Sequence, residues 1–245
     1  MKFAKAVLCG SIAIVWAGPA YAGPAGGDKV YGATVEEGVA EIETRYGQVD
    51  GGADNGANVF VLEAAYGFTP RFYGGIVAEF VDGPGSGREL EAIAVEGIYS
   101  IGKIQSLGID VAVYGEYEAA LEGPDKVEAK LLLQRARGRF DTRLNLVAEK
   151  EFTASPIAFE YAASADYAVI GDFRLGAVAL GELGSSRKFL TRADHFLGPV
   201  AKFEIEGLPG KGELELEGGY LYAIGAARDE ADGQFRLLID YEFRF

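Results

Sequence analysis

The 245-residue sequence has one cysteine, one methionine, one tryptophan and one histidine. Met1, Cys9 and Trp16 all lie near its start. Basic residues are also scarce, with 23 Lys+Arg against 37 Asp+Glu and a net charge of −14. Phosphate binding needs a basic face, so nucleic acid is not an expected partner. No long apolar run follows the first residues, which excludes a transmembrane helix in the rest of the chain. Mean hydropathy is near zero, and 35 glycines accompany 15 Phe and 13 Tyr. High glycine with high aromatics points to β structure.

The start of the chain reads as an export signal. Lys2 and Lys5 give a positive n-region, and residues 6–18 give an apolar core. Ala20 and Ala22 then place small residues where a signal peptidase reads, so cleavage is expected before Gly23. The core is too short for a membrane anchor, and no stop-transfer run follows. Too few apolar residues precede Cys9 for a lipoprotein signal. Removing residues 1–22 leaves 245 − 22 = 223 residues with no Cys, Met or Trp. That excludes disulfides, thiolate metal sites and cysteine nucleophiles. It also removes two lysines, so the net charge becomes 21 − 37 = −16.

What is present is a two-residue period. Phe235, Leu237, Ile239, Tyr241, Phe243 and Phe245 share one parity, while Arg236, Asp240, Glu242 and Arg244 share the other. Leu238 is the one exception. Leu214, Leu216, Tyr220, Tyr222 and Ile224 likewise oppose Glu213, Glu215 and Glu217. Alternation of this kind makes strands with one greasy and one polar face. Twelve such segments are predicted: 38–49, 58–68, 71–81, 90–101, 107–119, 127–136, 139–150, 158–169, 173–183, 195–206, 213–224 and 235–245. Turn chemistry such as Asp50-Gly51-Gly52, Thr69-Pro70-Arg71 and Gly171-Asp172 separates them. The mean spacing is about 19 residues, longer than in most soluble sandwiches and long enough for tilted strands that cross a bilayer.

Aromatic positions decide which face points outward. With strands alternating in direction, Tyr66, Phe68, Phe72, Tyr99, Phe140, Phe173, Tyr167, Tyr241 and Phe243 gather at one end of the strands. Tyr220 and Tyr222 belong to a second group at the other end. Two aromatic girdles around an aliphatic band fit a membrane barrel with its greasy face outside.

These features resemble a Gram-negative outer-membrane β-barrel. The chain is similar to that class in its export signal, its even count of amphipathic strands and its last strand ending Tyr241-Glu242-Phe243-Arg244-Phe245. The resemblance implies an all-β, antiparallel, up-and-down transmembrane barrel of about twelve strands, with ten and fourteen as alternatives. It implies location in the Gram-negative outer membrane and both termini in the periplasm. It implies contact with outer-membrane lipids and LPS, and Phe245 as the signal read by the barrel-assembly machinery. Residues 23–37 are then a short periplasmic segment before a barrel of 38–245, with no separate plug domain.

The inward parity is charged. An acidic wall is expected from Glu41, Glu43, Glu204, Glu206, Glu213, Glu215, Glu217, Asp240 and Glu242. A basic wall of Arg135, Arg137, Arg139 and Arg143 is expected roughly opposite, although Arg135 and Arg137 share the apolar parity and could snorkel to phosphates. Such a field resembles that at a general porin constriction and biases which ions enter. A passive channel for small solutes or ions, with cation preference, is the leading reading. A non-conducting structural or partner-docking barrel is the alternative, with a lipid-modifying hydrolase using His195 as a third.

No cofactor or metal is expected. Glu213, Glu215 and Glu217 are strung along one strand rather than wrapped around an ion. No catalytic residue is expected either. His195 is the only candidate base, and Leu197 stands where the outer-membrane phospholipase pattern has its serine. The glycine strings at 83–87 and 207–212 lack phosphate-loop spacing and context and read as turns. Pro199 removes one ladder donor, so a bulge is expected there.

Overall fold

The computed structural model describes residues 27–85, 87–190, 194–209 and 211–244. The expected signal peptide and Phe245 lie outside them. The alternating segments form twelve strands: β1 (Val39–Asp50), β2 (Asn58–Thr69), β3 (Phe72–Asp82), β4 (Glu89–Ile104), β5 (Ile109–Ala120), β6 (Lys126–Arg137), β7 (Phe140–Glu151), β8 (Ala158–Ile170), β9 (Phe173–Ser185), β10 (Asp194–Leu208), β11 (Gly212–Gly225) and β12 (Gly233–Arg244). Each pairs antiparallel with its sequence neighbours. β12 returns to β1, from Val39 opposite Arg244 to Asp50 opposite Gly233, and closes the barrel. Closure leaves no open sheet edge, which a strand protein needs in lipid.

The two ends differ. At the end where β1 begins and β12 stops, called the termini end, turns are short: residues 138–139 join β6 to β7 and 171–172 join β8 to β9. Gly138 takes φ +63°, a left-handed conformation that glycine reaches without a Cβ penalty. At the opposite end the connections are longer, and 226–232 includes a 3₁₀ turn over Ala226–Asp229.

The greasy parity faces outward. Ile42, Ile76, Val95, Leu131 and Leu237 are exposed around the belt. Aromatic pairs mark both rims. At the termini end, Phe68 stacks on Phe72, Phe140 packs on Tyr167, and Tyr241 stacks on Phe243. At the long-loop end, Phe60 meets Phe80, and Tyr220 meets both Tyr222 and Phe235. An apolar exterior between aromatic rims is the surface of a barrel that sits in a bilayer.

The expected bulge at Pro199 does not occur. The β9–β10 register runs unbroken through Pro199, and the β10 irregularity lies between Ile205 and Leu208. Gly198 and Pro199 only skip their partners on β11. A missing N–H removes a ladder bond, but it does not insert a residue.

Candidate functional site in the barrel lumen

The polar parity of the strands lines a lumen, and the chain's own start fills its middle. Residues 27–37, the described part of the segment 23–37 expected in the periplasm, run into the barrel instead. Neighbouring side chains reach opposite walls. Val30 packs against Ala162, Val178, Leu180, Val200 and Leu221 on β8–β11. Tyr31 and Ala33 pack against Ile98, Ala112, Tyr114 and Leu132 on β4–β6. Burying a side chain the size of Val or Leu is worth about 1.5–3 kcal/mol, so these contacts hold the segment firmly.

Lumen side chains replace water at the segment's backbone. The Asn145 carboxamide accepts from the Tyr31 N–H at 2.7 Å and donates to the Tyr31 carbonyl at 3.0 Å. Gln134 accepts from the Ala33 N–H at 2.9 Å, and Ser100 donates to the Ala33 carbonyl at 3.1 Å. Arg236 donates to the Asp28 carbonyl at 3.1 Å. An extended chain without strand partners must satisfy its peptide groups in some such way. At the rim, Gly38 donates to the Gly67 carbonyl at 2.8 Å, and Arg244 holds Glu36 and the Glu37 carbonyl. The chain passes so close that a Cβ on Gly67 would fall 1.9 Å from the Glu36 carbonyl oxygen.

Lys29 is the segment's electrostatic anchor. Its ammonium lies 2.7 Å from Glu41, 2.7 Å from Glu43 and 3.9 Å from Asp240. Glu41, Asp240 and Glu242 bring carboxylate oxygens within 4.8 Å of one another, and this tethered ammonium supplies positive charge beside them. Burial opposes the Lys29 charge, but Glu43 and Glu41 outweigh it and hold its pKa well above the ordinary lysine value. Asp28, the preceding residue, has its carboxyl pushed up chiefly by burial, with Lys130 pulling it down. Beyond Lys29, Arg45 bridges Glu43 and Glu63 at 3.3 Å each. Tyr31 and Tyr114 both donate to Glu96, at 3.0 and 2.8 Å.

The expected acidic wall largely faces the lumen. Glu41, Glu43, Glu213, Glu215, Glu217, Asp240 and Glu242 share the inward parity. Glu204 is half-buried near the termini end, whereas Glu206 stands exposed by the β10 turn. The wall is interleaved with cations. Glu217 lies 2.8 Å from Arg236 and 3.1 Å from Lys202.

The basic wall does not assemble. Only Arg143 of the four arginines turns into the lumen, where it pairs with Asp141 at 2.9 Å. Arg135 and Arg137 keep the outward parity of Leu131. Arg139, in the β6–β7 turn, lies over the Tyr167 ring and donates to the Val169 carbonyl. One residue of parity separates lumen from lipid, and the apolar parity of Arg135 and Arg137 in the sequence already set them on the lipid side.

The long-loop half of the lumen was missed. Glu79, Glu116, Glu118, Glu128, Glu149 and Glu160 surround a cavity of about 100 Å³ together with Lys126 and Lys130. The signal was present in the same inward parity of β3–β8, where these glutamates are spread over five strands rather than strung along one. His195 lies outward at the long-loop rim and shares a hydrogen bond of 3.1 Å with Tyr161.

No protein-family model and no curated protein sequence matches the chain. Solved structures do match in shape. The COG4313 outer membrane channel from Pseudomonas putida F1 superposes with a TM-score of 0.59 at 12% identity, covering 86% of this chain and 97% of that one. The KdgM porin in complex with disordered oligogalacturonate gives 0.56 at 13% identity, covering 84% and 99%. The NanC porin gives 0.53 at 12% identity, covering 83% and 100%. The chain therefore has the fold of Gram-negative outer-membrane porins: a closed, twelve-stranded antiparallel barrel with a greasy outside and a charged lumen.

Proposed function

We propose that this protein is an outer-membrane channel for small solutes that favours cations, and that residues 27–37 hold it closed at rest. The observation that carries this reading is the acidic lumen occupied by a tethered ammonium. Lys29 sits among Glu41, Glu43 and Asp240 as a permeating cation would. Fixed carboxylates around a narrow path raise the local concentration of cations and exclude anions. The end of β12 faces the periplasm in this reading, the longer loops face outward, and the aromatic rims meet lipid and LPS. Phe245 serves the assembly machinery. No catalytic residue, metal or cofactor takes part. The oligogalacturonate named for the KdgM porin is a polyanion, and this lumen gives no reason to carry that ligand over.

Planar-bilayer recording tests the reading. Deleting residues 27–35 from the mature protein is expected to raise unitary conductance severalfold, with a reversal potential favouring K⁺ over Cl⁻. The filled lumen also supports a second reading, a non-conducting barrel. Silence from both the folded native protein and the folded deletion variant would establish that second reading. A heat-dependent shift in gel mobility verifies folding in each case.

A further inference from the structure

Between the segment and the long loops lies a second chamber, of about 340 Å³. We propose that it binds an organic cation with an apolar body and a hydrogen-bonding group at the far end. This deepens the channel reading and rests on it for the route by which such a solute would pass. Three features of the chamber define the ligand.

First, part of its wall is apolar. Leu180 and Phe196 lie on the inward faces of β9 and β10, and Val81 lies on β3. Aliphatic and aromatic side chains in a concave site favour a hydrocarbon body over an inorganic ion. Second, Glu160 and Asp28 border both this chamber and the smaller cavity beneath it. Neither side chain makes a direct ion pair among the described residues, and Glu160, unlike Asp28 with Lys130 nearby, faces no cation among them. A carboxylate at the chamber floor with no fixed counter-ion selects a cationic head. Third, Gln234 lines the chamber and is 1% exposed, yet its side-chain nitrogen and oxygen have no partner among the described residues. A buried carboxamide without partners is costly, and a ligand group that both donates and accepts would satisfy it.

Tyramine carries these three parts: an ammonium, an aromatic body and a hydroxyl. Its size suits a chamber at the small end of the usual range for ligand pockets. The full mature protein, reconstituted in nanodiscs, is titrated with tyramine by calorimetry. Phenethylamine lacks the hydroxyl, and 3-(4-hydroxyphenyl)propionate reverses the charge. Empty nanodiscs give the lipid background.

Saturable one-to-one tyramine binding is expected, with phenethylamine about threefold weaker and the propionate at least tenfold weaker. Glu160→Gln should weaken tyramine about tenfold, and Gln234→Leu should bring tyramine down to phenethylamine. Glu160→Gln keeps the shape of the wall, so it provides the decisive variant if Gln234→Leu does not fold. Absence of saturable binding overturns the proposal, as does equal binding of the propionate or an unchanged affinity in Glu160→Gln. The two readings fail separately. A K⁺-selective pore that ignores tyramine removes only this site. Tyramine binding without conductance removes only the channel.

Discussion

The two halves of the lumen carry the same sign of charge but manage it differently. In the termini half, the carboxylates around the segment hold fixed cations, while Glu204, Glu213 and Glu242 nearer the rim make no ion pair among the described residues. Glu41 and Glu43 hold Lys29, Glu217 holds Arg236 and Lys202, and Asp166 holds Arg174. In the long-loop half, Lys126 and Lys130 serve Glu118 and Glu128, while Glu79 and Glu160 make no ion pair among the described residues. Matched charges build a fixed structure, here the seat of the segment. Unmatched charges set a field for mobile ions. In the proposed channel the halves would divide the work: one closes the barrel and the other chooses what enters.

The sharpest way to break this contrast is at Lys29. Lys29→Met leaves Glu43, fully buried, with Arg45 as its only described cation. Removing one partner of a buried pair costs about 3–5 kcal/mol, enough to unseat the segment. The mature sequence has no cysteine, so Ala33→Cys gives a single labelling site. Maleimide labelling of that cysteine should be slow in the native background and fast with Lys29→Met. Equally slow labelling in both would remove Lys29 as the anchor.

A second comparison sets Glu217→Gln against Glu79→Gln. The first strips the buried Arg236 and Lys202 of a shared carboxylate and should lower unfolding stability by about 3 kcal/mol. The second should leave stability nearly unchanged and reduce the K⁺ over Cl⁻ preference of the deletion variant. Unfolding midpoints and reversal potentials read the two effects. If the effects were exchanged, the division between the halves would be wrong.

The most local effect is expected at Asn145. Asn145→Leu leaves the Tyr31 N–H and carbonyl unsatisfied, at about 1–3 kcal/mol for each buried group. Hydrogen exchange at the Tyr31 amide should accelerate while the strand amides keep their protection. Uniform acceleration would point to general destabilisation instead.

Much of this barrel was legible in the sequence. A strand in a closed barrel meets lipid on one face and the lumen on the other, so its alternation is strict. That strictness locates all twelve strands to within a few residues. It also puts Glu213, Glu215 and Glu217 on the inward side and Phe235 and Leu237 on the outward side. The course of residues 27–37 was not legible, because nothing in that stretch repeats. One trace of it was in view. Leu238 breaks the polar parity of β12, and Leu132, Val178, Leu180 and Leu221 do the same elsewhere. Inward apolar residues in a water-filled lumen would be anomalous, and much of this inward apolar surface packs against Val30, Tyr31 and Ala33.

The sequence by itself determined the barrel, its exterior and the acidic sign of its interior, because period, turn residues and charge are local properties. Tertiary structure decided whether that interior is filled and which carboxylates are matched. Those outcomes depend on closure of β12 on β1, which brings Lys29 to Glu43 and sets Asn145 opposite them. Contacts across a lumen join residues more than a hundred positions apart, and no local pattern encodes that distance.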